Sequence, residues 1–127
     1  METQQSISDW AEEAFGPVGS NARVAARANE EMAELLRALT ADDRHPKAAE
    51  EMADVVIVLA RLATRLGVEL TIEVERKMAV NRAREWKRDG TGHGYHVRDR
   101  SIVPRPTAEA DDALGVPQKW REDHHDQ

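Results

Sequence analysis

The amino-acid sequence predicts an all-α protein: a four-helix bundle completed by dimerisation, with an irregular C-terminal tail. Two observations predict this fold. Apolar side chains recur three and four residues apart through most of the chain before residue 89, which is helical spacing and not the alternation of a strand. Glycine and proline lie at the ends of those stretches and after residue 89, where they punctuate turns.

The first helix is predicted over residues 6–15. Ser6 and Asp9 have the spacing of a capping box at its start, and Gly16-Pro17 ends it. Trp10 is one of its large apolar side chains, and a tryptophan on a short amphipathic helix is either a core residue or a platform that stacks on a base.

The second helix is predicted over about residues 20–39 and the third over residues 46–67. Pro46 suits the first turn of the third helix, and Gly67 suits the position just after its end. Apolar residues cover nearly the whole circumference of this third helix, which is typical of a helix buried on several sides. In so short a chain, we expect it to pack against its own subunit and against a second one.

The fourth helix is predicted over residues 69–88, with Trp86 as a packing residue at its end. After Asp89 the composition changes to glycine and proline, so we expect a loop with a strand-like stretch near residues 95–97. Residues 1–97 are predicted to form one domain. Residues 98–127 are predicted to be a C-terminal extension, because they lack a long apolar pattern.

The composition excludes several classes of function. A net charge of -6 argues against a general nucleic-acid binder, which would carry a basic stripe. The longest apolar run is far too short to span a bilayer, and no signal-peptide pattern opens the chain. Cysteine is absent, so the sequence offers neither disulfides nor a thiolate metal site. We expect a cytoplasmic protein with no nucleic-acid and no membrane partner.

Two acidic pairs lie inside the second and third predicted helices, Glu31-x-x-Glu34 and Glu51-x-x-Asp54. A spacing of three places both carboxylates of a pair on one helix face, about 4.5 Å apart along the axis. Both pairs border apolar stripes, so they lie where helix meets helix. If the helices pack antiparallel, the carboxylates converge. Two carboxylates about 6 Å apart repel by roughly 3 kcal/mol at an effective dielectric constant of about 20, so a divalent metal is the predicted partner.

The donor set predicts which metal. Carboxylate oxygens favour a hard ion, Mg2+ with Mn2+ as a substitute, over zinc. Magnesium keeps waters and shares its coordination shell with substrate phosphates, so such a site suits phosphoryl transfer. A ferritin-like di-iron site would need Glu-x-x-His on two helices, and the sequence has one match, Glu122-x-x-His125, in the tail.

A rival interpretation needs no metal. Acidic pairs at this spacing are common on solvated helix faces, and Arg27 or Lys77 are available to neutralise them through salt bridges. The chain would then be a non-catalytic helical oligomerisation or interaction module.

Four runs of residues resemble the MazG-like all-α nucleoside triphosphate pyrophosphohydrolases, in family order and spacing over about residues 5–97. They are Asn29-Glu30-Glu31-Met32-Ala33-Glu34-Leu35, Glu50-Glu51-Met52-Ala53-Asp54-Val55, Leu66-Gly67-Val68 and Lys77-x-x-x-Asn81-x-x-Arg84. The segment Trp10 to Pro17 is similar to the opening helix of phage and bacterial members, some of which act on purine deoxynucleoside triphosphates.

The resemblance implies Mg2+-dependent cleavage of a nucleoside triphosphate between its α and β phosphates, giving the monophosphate and pyrophosphate. Such enzymes serve nucleotide-pool housecleaning or deoxynucleotide control, and the resemblance leaves base and sugar preference open. It also implies a homo-oligomer, either a dimer or a dimer of dimers.

The resemblance further implies roles for single residues. Glu30 matches the glutamate that activates the attacking water, with Glu50 as a second unassigned carboxylate nearby, and Trp10 is a candidate to stack on the base. The implied metal ligands are Glu31, Glu34, Glu51 and Asp54. The residues that match the triphosphate-holding segment are Lys77, Asn81 and Arg84.

Overall fold

The structure is a computed structural model, and it describes residues 1–97 of the chain. In that part of the chain the elements are α1 (Gln4–Phe15), α2 (Asn21–Ala41), α3 (Ala48–Arg65), α4 (Leu70–Ala83), β1 (Trp86–Arg88) and β2 (Gly94–His96). The predicted four-helix fold is confirmed, with a small hairpin added. The predicted extension over residues 98–127 lies outside the described residues, so the predicted domain boundary stays a prediction.

Two compact units make up the chain, a helical unit over Met1–Ala83 and a second unit that begins at Arg84 and contains the hairpin. Within the helical unit, α3 is central and packs against both α2 and α1, whereas α4 contacts it along a short stretch only. No helix in residues 1–97 is both long and apolar enough to cross a membrane.

The start of α1 differs from the prediction. Thr3 is the N-cap: its hydroxyl accepts from the Ser6 backbone N–H at 3.0 Å, and its own N–H donates to Ser6 Oγ at 2.8 Å. The predicted capping box of Ser6 with Asp9 is therefore wrong, and the helix begins at Gln4 because Thr3 already satisfies the first orphan donors. Gly16, at φ 74°, ends the helix as predicted.

The ends of α3 follow local chemistry. The helix begins at Ala48, slightly after the predicted Pro46. At its end, the backbone N–H of Gly67 donates to the Thr64 carbonyl and that of Val68 to the Ala63 carbonyl, both at 3.0 Å. This is a Schellman motif, and Gly67 sits in its left-handed position at φ 71°, as its place in the sequence predicts.

One side chain ties α1 to the turn between α3 and α4. The Gln4 amide nitrogen donates to the Val68 carbonyl at 2.7 Å and to Thr64 Oγ1 at 3.2 Å. Its carbonyl oxygen accepts from the backbone N–H of Leu70 at 2.8 Å, a donor that has no partner inside α4. A single glutamine thus satisfies backbone groups at the start of α4 and fixes where α1 crosses α3.

The core of the single chain is thin. Its buried apolar side chains are Ala11, Val24, Val55, Ala60 and Ala63, and no large side chain in residues 1–97 is fully buried. Small residues let α1 and α2 approach α3 closely. Several of the larger apolar residues of the helix stripes stay largely exposed, among them Leu36 at 65% and Met52 at 54%.

The end of α4 contradicts the predicted helix over residues 69–88. The helix stops at Ala83, and Trp86 lies in β1, where it pairs with His96 of β2. Glutamate, arginine and lysine dominate this segment and favour helix, but pairing with a strand several residues later overrides that preference.

The turn of the hairpin explains this override. The Asp89 carboxylate accepts from the Thr91 backbone N–H at 2.8 Å and from its hydroxyl at 2.6 Å, which closes the turn. Gly94 faces the other strand so closely that a Cβ there would lie 2.6 Å from the Lys87 carbonyl oxygen. The glycines of this segment therefore permit a tight antiparallel ribbon.

Candidate metal centre

Three carboxylates from two helices meet at one point. Glu31 lies on α2, and Glu51 and Asp54 lie on α3; each offers an oxygen that is within 4.8 Å of the other two. The short turn over residues 42–47 makes α2 and α3 packed neighbours, and the two acidic spacings place the side chains on the facing surfaces. The structure thus brings these three together, whereas their role as metal ligands stays a prediction.

Burial is graded across the cluster. Glu31 is buried, Glu51 is half-buried and Asp54 is exposed, so the cluster is closed on the α2 side and reachable from the Asp54 side. Oε2 of Glu51 is shielded from solvent and has no hydrogen-bond partner within residues 1–97. A buried carboxylate oxygen without a partner is costly, and a divalent cation would satisfy it. The residues present therefore fit a hard metal ion.

The pKa values of two cluster carboxyls are raised because the acidic groups are partly shielded from water and lie close together. Burial raises the pKa of Glu51, and the neighbouring charges of Glu34 and Asp54 raise it further. Burial also raises the pKa of Glu31, the Arg27 guanidinium opposes that rise, and Glu34 and Asp54 add to it. Glu34, the fourth predicted ligand, lies outside the tight group of three but is close enough to act on both Glu31 and Glu51.

One cation touches the cluster. Arg27 donates to Glu30 and lies in an ion pair with Glu31, with both N–O distances at 2.6 Å. The salt-bridge interpretation is therefore realised for Glu31. Glu51 and Asp54 have no ion pair in the part of the chain that the structure describes, and Lys77 pairs with neither of them there. Arg27 neutralises one acid of the cluster and leaves the rest of its charge unbalanced.

The predicted water-activating residue lies on the rim. Glu30 precedes Glu31 on α2, and its side chain is 65% exposed. Its carboxylate accepts a hydrogen bond from Arg27, the residue that also pairs with Glu31 of the cluster.

The predicted substrate-binding residues lie elsewhere on the helical unit or beyond it. Trp10 on α1 is exposed and packs edge-to-face against Phe15, with ring centroids 5.3 Å apart. Lys77 is exposed on α4, Asn81 is half-buried there, and Arg84 follows the end of that helix. Within residues 1–97, Trp10 and Lys77 make no hydrogen bond or ion pair with the acidic cluster, so these roles stay predictions.

A set of cations that the sequence analysis missed lies nearer to the cluster. A groove of about 380 Å³ is lined by Glu34 and Glu51 and also by Arg37, His45 and Lys47. Sequence spacing was enough to find two of them: Arg37 follows Glu34 by three residues on α2, and Lys47, the N-cap residue of α3, precedes Glu51 by four.

Known proteins share this arrangement of helices. The chain matches the MazG-like family over residues 29–94. It is 35% identical over 99 residues to a dATP/dGTP diphosphohydrolase of Cyanophage S-2L, covering 76% of this chain and 86% of that protein. A dATP/dGTP diphosphohydrolase of Salmonella phage PMBT28 is 35% identical over 98 residues, which is 77% of this chain but 31% of that longer protein.

A solved structure gives the same result. The Cyanophage S-2L MazG-like pyrophosphohydrolase, bound to dGDP and three catalytic Mn2+ ions per active site, superposes with a TM-score of 0.60 at 37% identity. The alignment covers 75% of this chain and 93% of that one. The family match spans all four predicted metal ligands. The chain belongs to the MazG-like family.

Proposed function

We propose that the protein is a Mg2+-dependent nucleoside triphosphate pyrophosphohydrolase, which converts a deoxynucleoside triphosphate to the monophosphate and pyrophosphate. One observation carries the proposal: three carboxylate oxygens from α2 and α3 lie within 4.8 Å of one another. The phage relatives named as dATP/dGTP diphosphohydrolases, and the neighbour bound to dGDP and Mn2+, support it.

Glu31, Glu51 and Asp54, with Glu34 beside them, would hold the divalent ions. Bound ions polarise the phosphoryl oxygens and neutralise their charge. The chain itself contributes a rigid, partly buried set of hard oxygen donors with one side accessible from solvent. Without cations such a set repels a triphosphate, and with them it attracts one. The all-oxygen donor set favours Mg2+, and Mn2+ replaces it readily.

Glu30 is suited to accept the proton of the attacking water. Its carboxylate is exposed to solvent, adjacent in sequence to a proposed ligand residue, and 2.6 Å from Arg27. In the reaction, the water oxygen bonds to the α-phosphorus and the bond from that phosphorus to the bridging oxygen breaks. The bridging electron pair leaves with pyrophosphate, and the water's proton passes to Glu30. Glu50, one residue before Glu51, is the alternative base.

The substrate is proposed to be a purine deoxynucleoside triphosphate, because both phage relatives carry dATP and dGTP in their names. Lys77, Asn81 and Arg84 are proposed to help hold the triphosphate, and Trp10 to stack on the base. Exposed apolar residues support assembly into a dimer or a dimer of dimers. They lie four residues apart on two packed helices: Met32 and Leu36 on α2, and Met52 and Val56 on α3.

The testing experiment is a panel of canonical and modified triphosphates, incubated with the protein and Mg2+ or Mn2+ and assayed for released pyrophosphate. We expect release from dATP and dGTP that stops when the ions are chelated. Release of inorganic phosphate in place of pyrophosphate, or no turnover of any triphosphate, would contradict the proposal. The same panel determines base and sugar preference.

A further inference from the structure

The groove beside the acidic cluster is lined by both acidic and basic side chains. Two of the lining residues, Glu34 and Glu51, belong to the proposed metal centre. Three others, Arg37, His45 and Lys47, form the basic lining of the groove. Nothing in the proposed reaction has yet used these three side chains.

The basic lining of the groove is available to a ligand. Arg37 and Lys47 are exposed, and neither forms an ion pair within residues 1–97. Arg27 and Arg61, by contrast, direct their guanidinium groups at carboxylates of their own chain. In His45, Nδ1 accepts the backbone N–H of Lys47 at 3.1 Å, so Nε2 carries the hydrogen of the neutral ring. These three side chains therefore present donors only to a ligand in the groove.

The positions of these side chains tie them to the metal ligands. Residues three or four apart on a helix have Cβ atoms about 5–6 Å apart, and Arg37 stands in that relation to Glu34 on α2. Lys47 is the N-cap residue of α3, and its carbonyl accepts from the backbone N–H of Glu51 at 3.0 Å. A phosphoryl group held at the carboxylates would have its neighbour along the phosphate chain at the cations. A purine base is uncharged at neutral pH and gains little from three donors, whereas a diphosphate carries several negative charges and many acceptor oxygens.

We propose that this groove receives the β and γ phosphoryl groups of the substrate and holds them as pyrophosphate after cleavage. Arg37 is its principal anchor, since a guanidinium binds two phosphate oxygens at once. The nucleoside then extends away from the turn between α2 and α3. This inference rests on the proposed function, because it names the subsite for that reaction's leaving group.

The test is the binding of inorganic pyrophosphate and of dGMP to the full chain with Mn2+, measured by calorimetry. The variants are Arg37→Ala and the control Arg44→Ala, which removes the same charge from the neighbouring turn but does not line the groove. We expect Arg37→Ala to weaken pyrophosphate binding about tenfold, the effect of losing one charge-assisted hydrogen-bond pair. Binding of dGMP should change less than about twofold, as should both affinities in Arg44→Ala. Arg37→Lys should recover part of the loss.

Three results would overturn the subsite. They are an unchanged pyrophosphate affinity in Arg37→Ala, an equal loss for dGMP and pyrophosphate, and an equal loss in Arg37→Ala and Arg44→Ala. Turnover of dATP and dGTP by the unaltered protein is measured on the same preparation. Absent turnover counts against the proposed function, whereas normal turnover with one of the three binding results counts against the groove alone.

Discussion

α3 packs against α1 along one seam and against α2 along another, and the two seams differ in how their charged side chains are paired. Between α1 and α3, the buried Arg61 donates through Nε to Glu12 at 3.1 Å and through a terminal nitrogen to the Gly16 carbonyl at 3.0 Å. The same guanidinium lies 6.0 Å from the ring centre of Phe15, and Arg65 approaches Glu12 at 3.4 Å. Glu12 therefore pairs with both Arg61 and Arg65, and its charge is balanced without a bound ion.

Between α2 and α3, like charges are pressed together. The pKa shifts have opposite signs on the two seams: the hydrogen bond from Arg61 lowers the pKa of Glu12, whereas burial and acidic neighbours raise that of Glu51. α3 thus packs against α1 beside a charge pair that stabilises the fold, and against α2 beside an acidic cluster whose repulsion opposes it. A cluster that costs stability in the isolated chain and stays geometrically ordered is typical of a binding site.

The largest expected effect is on catalysis. Glu51→Gln removes a ligand charge while keeping the side chain's shape, so we expect pyrophosphate release to fall by at least about 100-fold, with the helix content unchanged. Asp54→Asn should behave alike. The matched control is Glu13→Gln, on the exposed side of α1, which should keep full activity. Full turnover of either α3 variant at saturating Mg2+ would remove its residue from the metal centre.

Metal binding should also change stability. A ligand that binds only the folded state stabilises it by about 2.7 kcal/mol at a concentration one hundred times its dissociation constant. We therefore expect Mg2+ or Mn2+ to raise the melting temperature of the unaltered protein, and to do so much less in Glu51→Gln. An equal rise in both proteins would mean that the ions bind elsewhere. No rise in either would favour the interaction-module interpretation.

Without bound metal, replacing a ligand residue should raise the stability of the fold and not lower it. In chelator at pH 7, Glu51→Gln removes a half-buried carboxylate that is repelled by its acidic neighbours, so this variant should melt above the unaltered protein. Thermal unfolding of both proteins in chelator measures the difference, with Glu13→Gln again as the control. A variant that melts lower would show that Glu51 contributes to the apo fold and is not strained there.

Local chemistry made much of this predictable. Gly67 was identified as the end of α3 because a left-handed position after a helix has few alternatives, and the structure has it at φ 71°. The convergence of Glu31 with Glu51 followed from spacing within each helix and a short turn between them. The carboxylates at the centre of the candidate site could therefore be predicted from the sequence.

What escaped prediction depends on contacts distant in sequence. The end of α4 depends on the pairing of Lys87 with Tyr95, which a helix-favouring composition conceals. The groove cations were missed because a groove exists only once two helices and a turn are placed together. Arg27 was considered only as a neutralising partner, and its simultaneous hold on Glu30 and Glu31 needs side-chain positions.

The smallest expected effect is on the melting temperature of a variant at the α1–α3 seam. Its sign is opposite to that expected for Glu51→Gln in chelator. Glu12→Gln should melt below the unaltered protein at pH 7, because it loses its charge-assisted contact with Arg61. Since the folded-state pKa of Glu12 is lowered, its contribution is fully present above the ordinary pKa of 4.5 and is lost as the pH falls through the lower, folded-state pKa. The difference in melting temperature between the two proteins should therefore shrink as the pH drops through that range. The neighbouring Glu13 has no ion pair within residues 1–97, so Glu13→Gln should show no such pH dependence. If the two variants melt alike at every pH, the contrast between the seams does not hold, because the Glu12–Arg61 pair would then contribute nothing that its exposed neighbour lacks.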